Sequence, residues 1–91
     1  MRDDEFEWDD AKAASNFAKH RVTFEAARVA FDDPNALDES DEYDDELRYI
    51  LIGSSHGRLL SVAYTERGHR RRIISARQAT QTETRRYQHG T

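Results

Sequence analysis

Between residues 47 and 76 the chain carries three β-type segments separated by two short loops, each containing a glycine. Leu47-Arg48-Tyr49-Ile50-Leu51-Ile52-Gly53 is the first segment, Arg58-Leu59-Leu60-Ser61-Val62-Ala63-Tyr64-Thr65 the second, and Arg70 to Ala76 the third. Ser54-Ser55-His56-Gly57 and Glu66-Arg67-Gly68-His69 join them, and loops of that length with glycine make antiparallel hairpins. Two hairpins in succession commit this half of the chain to a small antiparallel sheet. Whatever precedes it must cover a face of that sheet.

The preceding half reads as helical. Phe6-Glu7-Trp8 alternates like a short strand or extended lead-in. Asp9 or Asp10 then caps a helix to about His20, with acids at its positive end and Lys19-His20 at its negative end. Ala11, Ala14, Phe17 and Ala18 form its apolar stripe. After Arg21-Val22, Thr23 caps a second helix from Phe24 to about Phe31, which Asp32-Asp33-Pro34 ends. From Asp38 to Glu46 nearly every residue is acidic, and the run is expected to be a solvated loop. Thr80 or Thr82 opens a last helix to about Gln88. The expected fold is α+β: a small, mainly antiparallel sheet with two amino-terminal helices packed on one face, closed by a carboxyl-terminal helix. Ile50, Ile52, Leu60, Val62 and Ile73 or Ile74 should meet Phe17, Phe24 and Phe31 in the core, leaving the other sheet face open.

Ninety-one residues make one domain, 1–91, with a low buried fraction. There is no cysteine, hence no disulfide and no thiolate metal site. The amino terminus lacks the apolar core of a signal peptide and no run reaches membrane-spanning length, so the expected location is cytoplasmic, with no membrane partner. The net charge of −4 conceals a division. Residues 1–45 hold fifteen acids against five Lys or Arg, whereas residues 46–91 hold three acids against nine arginines and no lysine. Arginine's planar fork matches phosphate oxygens, so an anionic ligand on one face is one reading. Two halves of opposite sign packing on each other is the other.

The basic charge peaks in His69-Arg70-Arg71-Arg72-Ile73-Ile74-Ser75-Ala76-Arg77. Alternation puts Arg70 and Arg72 on one face, with Arg77 just past the strand end, and Arg71 with Ile73 and Ser75 on the other. Such a row could clamp a phosphate and stabilise a pentacoordinate transition state, or it could be an edge strand protected by charge. Lys19-His20 is the second candidate, because a histidine's unperturbed pKa near neutrality suits proton transfer; cations at a helix end also simply oppose its dipole. Trp8 could stack on a base or be buried. The four histidines are scattered, no phosphate-cradling glycine loop is present, and no metal or cofactor is expected.

Taken together, these segments resemble the BrnT family of toxins from type II toxin–antitoxin pairs, over nearly the whole chain. Phe6-Glu7-Trp8-Asp9 with Lys12, Asn16 and Lys19-His20 looks like its opening motif, and Val22-Thr23-Phe24-Glu25-Ala26 with Phe31-Asp32-Asp33-Pro34 like its second-helix signature. Tyr64-Thr65-Glu66-Arg67-Gly68, Arg72-Ile73-Ile74-Ser75-Ala76-Arg77 and Glu83 with Tyr87 look like its carboxyl-terminal half. Two departures stand out: Arg21 where glycine usually follows Lys-His, and Arg71 at a commonly apolar position.

The resemblance implies a RelE-like fold and a ribonuclease that cleaves RNA and inhibits translation. Carried over by position, Lys19, His20, Arg70, Arg72 and Arg77 are the expected catalytic residues, and Trp8, Glu66 and Arg67 the expected RNA-binding ones. The expected reaction is metal-independent attack by the RNA's own 2′-hydroxyl. The resemblance also implies a BrnA-type ribbon-helix-helix antitoxin, a heterotetramer of two toxins and two antitoxins, and contact with promoter DNA only through the antitoxin. The alternative, from another functional class, is a non-catalytic module that binds nucleic acid or a partner.

Overall fold

In the computed structural model, which describes residues 1–43 and 46–90, five strands and three helices follow one another along the chain. They are β1 (Phe6–Glu7), α1 (Asp10–His20), α2 (Phe24–Ala30), β2 (Leu37–Tyr43), β3 (Glu46–Ser55), β4 (Arg58–Arg67), β5 (Arg70–Gln78) and α3 (Gln81–His89). The sheet order is β1-β5-β4-β3-β2, with β1 parallel to β5 and every other pair antiparallel. Among the described residues, no helix is long and apolar enough to cross a membrane.

Local chemistry accounts for the helix ends. The Asp9 carboxylate accepts the Ala11 and Lys12 amides at 2.8 and 3.1 Å, and the Thr23 hydroxyl accepts the Ala26 amide at 3.0 Å. Thr80 and Glu83 form a reciprocal capping box at the start of α3. Arg21 ends α1 in the left-handed conformation, φ 58°, donating its amide to the Phe17 carbonyl at 2.8 Å. Glycine's task at a helix end is thus performed by arginine at a cost of about 1–2 kcal/mol, and its guanidinium lies 5.4 Å from the Phe17 ring centroid.

Both hairpins turn more tightly than the sequence suggests. The first needs only His56 and Gly57, at φ 51° and 82°, and the second only Gly68, at φ 61°, and His69. Positive φ at these positions matches the twist of the flanking strands.

The acidic run is a strand, not a loop, over the part that is described. Leu37↔Ile52 through Tyr43↔Glu46 pair β2 with β3, while Asp44 and Asp45 lie outside the described residues. An edge strand tolerates charges because one of its sides meets water, and Asp38 and Glu39 of this strand have partners. Asp38 accepts the Tyr64 hydroxyl at 2.6 Å, and Glu39 forms an ion pair with Arg86 of α3.

The core lies between α1, α2 and one sheet face. It comprises Phe6, Trp8, Val22, Phe24, Ala27, Ala30, Leu51, Leu60, Val62, Tyr64, Ile73 and Ala76. Phe6, Phe31 and Tyr64 meet edge-to-face at centroid distances of 5.0 and 4.9 Å, in the geometry that ring quadrupoles favour. Phe17 is a correction: it is 41% exposed, because α1 turns Asn16 inward and the stripe of Ala14, Phe17 and Ala18 outward. Leu51 rather than Ile50 enters the core, and Ile73 rather than Ile74.

Ile52 is buried on the opposite face, since it pairs with Leu37 and Ser61, which alternate with the core positions. That face is not wholly open. At one end α3 lies over it, with Glu83 against Ser61, Arg86 against Glu39 and Gly90 against Leu37. Asp33 fixes α3 there by accepting the Tyr87 hydroxyl at 2.6 Å and the Ser54 amide at 2.8 Å.

α2 crosses β3 so closely that a Cβ on Gly53 would stand 2.6 Å from the Ala30 carbonyl oxygen. Gly53→Ala is therefore expected to destabilise the fold by about 1–3 kcal/mol, the usual cost of overpacking. Urea denaturation measures it, and an unchanged midpoint would contradict this contact.

Candidate active site

The register of β5 decides where its arginines point. Arg72 stands opposite Thr65 and Arg77 opposite Ser61, and those two β4 residues share the face away from α1 and α2. Strict alternation would place Arg72 and Arg77 on opposite faces, since an odd number of positions separates them. A bulge removes the conflict: Tyr64 pairs with Ile73 and Ala63 with Ser75, so Ile74 has no opposite number. Arg70, Arg72, Ser75 and Arg77 consequently line one face, with Arg67 opposite Arg70. Arg77 lies within the strand rather than beyond its end, and Ser75 sits opposite in sense to Arg71.

Each of the three expected catalytic arginines is held by the protein itself. Arg70 donates its Nε to the Asp3 carbonyl at 2.7 Å. Arg72 donates to a Glu7 carboxylate oxygen at 2.7 Å, and that contact holds Glu7 below the ordinary carboxylate range. Arg77 grips both Glu83 oxygens, at 2.8 and 3.0 Å. The bidentate fork, chiefly, drops the Glu83 carboxyl from 4.5 to about 2 against the opposing effect of burial. Glu7 reaches this face because its neighbours Phe6 and Trp8 alternate inward. Beside Arg72, the Thr65 hydroxyl is buried without a hydrogen-bond partner among the described residues.

Lys19 and His20 are brought together elsewhere, along the outer edge of β5 beyond its pairing with β1. A cleft of about 270 Å³ opens there, lined by Lys12, Ser15, Asn16, Lys19, His20, Ile74 and Ser75. Asn16 attaches α1 to this edge. Its amide nitrogen donates to the Val22 and Ala76 carbonyls at 3.0 and 2.8 Å, and its oxygen accepts the Ala76 amide at 3.1 Å. None of the arginines lines the cleft. Ser75 belongs to both places, since it lines the cleft and stands on the sheet between Arg72 and Arg77.

Trp8 is a correction as a base-stacking residue. It is 5% exposed and meets Phe24 edge-on at 5.7 Å, because in so small a domain the indole is too much apolar surface to leave outside the core. Arg67 and Glu66 are exposed at the hairpin end; Glu66 stands opposite Arg71, on the helix-covered face, and adds to the effect of burial that raises the Tyr49 pKa. Arg71 lies over the Phe31 ring at 5.2 Å, which accounts for a cation at an apolar position. Lys12 and Ser75 stood in the quoted motifs but, like Ser15, were not assigned to the site from the sequence. The signal for Lys12 was its spacing of seven from Lys19, two helical turns on one face. Among the described residues, no group of three or more His, Asp or Glu could hold a metal ion.

The family model described as "Ribonuclease toxin, BrnT, of type II toxin-antitoxin system" matches residues 8–83. The chain belongs to the BrnT family. A search of the curated proteins finds no match. BrnT membership makes the chain a ribonuclease toxin of a type II system, with RNA as its target and an antitoxin as its partner. The matched span runs from Trp8 to Glu83 and so contains α1, the cleft, the bulged strand and the acid that holds Arg77.

The Arg77–Glu83 pair gives this BrnT chain a defined acid response. Glu83 titrates lower folded than unfolded, so its contribution is complete above about pH 4.5 and disappears as the pH falls towards 2. Glu83→Gln should therefore be less stable than the parent near neutrality, with the difference narrowing across that window. Thermal unfolding as a function of pH measures it; a gap that stays constant to pH 2 would contradict the assignment.

Proposed function

We propose that this chain is a metal-independent endoribonuclease whose cleavage of RNA inhibits translation. The observation that carries the proposal is the bulge at Ile74, which aligns Arg70, Arg72, Ser75 and Arg77 on one face while Ser75 also lines the cleft of Lys19 and His20. RNA supplies the nucleophile. Its 2′-hydroxyl loses a proton to Lys19 or His20 and attacks the adjacent phosphorus. The bond to the 5′-oxygen breaks, that oxygen takes a proton from the other of these two side chains, and the products are a 2′,3′-cyclic phosphate and a 5′-hydroxyl. Arg70, Arg72 and Arg77 bind the phosphate and stabilise the charge that builds on it in the transition state. Glu83 and Glu7 hold two of these guanidinium groups in place before substrate arrives.

The partner in this proposal is a BrnA-type ribbon-helix-helix antitoxin in a cytoplasmic heterotetramer of two toxins and two antitoxins, which meets promoter DNA only through the antitoxin. The test of the chemistry is a substrate with one 2′-deoxy nucleotide at the cleavage position, assayed with and without a chelator. The expected result is an intact modified strand and an unchanged rate on RNA in chelator. Comparable cleavage of the deoxy site, or loss of activity in chelator, would overturn the proposal.

A further inference from the structure

Positive charge at the candidate site is of two kinds. Arg70, Arg72 and Arg77 are all engaged with protein oxygens, whereas the side chains of Lys12, Lys19 and His20 make no hydrogen bond or ion pair with any described residue. Those three groups share one concavity and one helix. Lys12 and Lys19 lie two turns apart, about 10 Å along the α1 axis, and Ser15 stands between them on the same face. Asp9, the acid next to Lys12 on this helix, directs its carboxylate to the Ala11 and Lys12 amides. Asn16, also in the cleft, is committed to the backbone of Val22 and Ala76. The Lys12 end of the cleft therefore offers a hydroxyl and an ammonium whose charge helps lower the Asp9 carboxyl but which makes no hydrogen bond or ion pair with any described residue.

Ser75 joins the arginine face, which binds the reacting phosphate in the reading above, to the cleft of Lys19 and His20, and the Lys12 end of that cleft lies about 10 Å farther along α1. We propose that Lys12 and Ser15 form a second phosphate subsite, which holds single-stranded RNA by a backbone phosphate next to the one that is cleaved. The assignment rests on the ribonuclease reading above and adds to it a minimum substrate: RNA must present a flanking phosphate as well as the reacting one. Lys12 is a positioning residue here. It touches backbone rather than the reacting atoms, so it contributes equally before and at the transition state and acts on KM.

The test uses the full chain and a short, uncleavable 2′-O-methyl RNA, with affinity measured by fluorescence anisotropy across a series of salt concentrations. Loss of one phosphate contact on a single strand flattens the plot of log affinity against log salt by about 0.7. Lys12→Gln should show that change, Lys12→Arg should keep the parent slope, and Arg58→Gln, an exposed cation at the far hairpin, should also keep it. With cleavable RNA, Lys12→Gln should raise KM and leave kcat within about twofold. A parent-like slope in Lys12→Gln, or an equal flattening in Arg58→Gln, overturns the subsite. Binding needs no turnover, so failure of the cleavage chemistry leaves this result readable by itself.

Discussion

Asn16→Ala should be the most destabilising single substitution in α1, lowering unfolding free energy by about 3–5 kcal/mol. Asn16 looks unremarkable as a mid-helix polar residue, yet it is buried and supplies partners to three backbone groups: the Val22 carbonyl and both the carbonyl and amide of Ala76. Val22 and Ala76 are fully buried, so water cannot easily replace the lost partners. Each buried polar group left unsatisfied costs about 1–3 kcal/mol, against a total stability of about 5–15 kcal/mol for a domain. In effect the side-chain amide acts as one residue of a missing strand, continuing the edge of β5 where β1 has ended. Asn16→Asp is the sharper variant, because it keeps shape but replaces two donated hydrogen bonds by a carboxylate facing two carbonyls. Urea titration should show a lowered midpoint with an unchanged slope in Asn16→Ala. A loss below about 1 kcal/mol would mean that α1 is held to the sheet by other contacts. The same variants should weaken RNA cleavage, since the cleft exists only while α1 stays on that edge.

Much of this architecture is legible in residue patterns, and the parts that are not share a cause. The two hairpins, the capped helices and the arginine-rich strand follow from alternation, glycine placement and capping side chains, each of them a local property. β2 escaped because acidic composition indicates solvation, while pairing with β3 depends on a register that composition does not encode. Phe17 was assigned to the core because its stripe is the more apolar one on α1. The helix instead turns toward the sheet the face whose Asn16 can satisfy an open strand edge. At the site, the pairing of Arg70 with Arg72 followed from alternation, but Arg77 joined them only through a bulge, an extra residue that strict periodicity cannot anticipate. Glu7 and Glu83 gave no signal as arginine partners because they lie 65 and 6 positions away in sequence from the groups they bind.

Arg72→Ala and Arg77→Ala should each reduce RNA cleavage by about 10²–10³-fold, the usual effect of removing one preorganised donor from developing transition-state charge. The ion pairs make this a discriminating experiment, because they also support a purely structural reading in which each arginine serves only to neutralise its acid. The two readings separate on the partner acid. If Arg77 existed for Glu83, then Glu83→Gln and Arg77→Ala would have similar consequences. If Arg77 contacts phosphate, Glu83→Gln leaves turnover within a few-fold, because the guanidinium keeps its charge and its place on β5. Arg77→Lys adds a further distinction: it preserves charge but not the planar fork, so partial recovery marks a point-charge role and no recovery marks a bidentate one. Stability must be measured beside activity, since Arg77→Ala leaves a largely buried Glu83 carboxylate with the Thr80 amide and the Ser61 hydroxyl but no opposite charge. The decisive outcome is a folded Arg77→Ala protein that still binds its antitoxin but has lost turnover. Folded Arg72→Ala and Arg77→Ala proteins that cleave RNA within about fivefold of the parent would remove the arginine row from the reaction and leave the cleft to account for it alone.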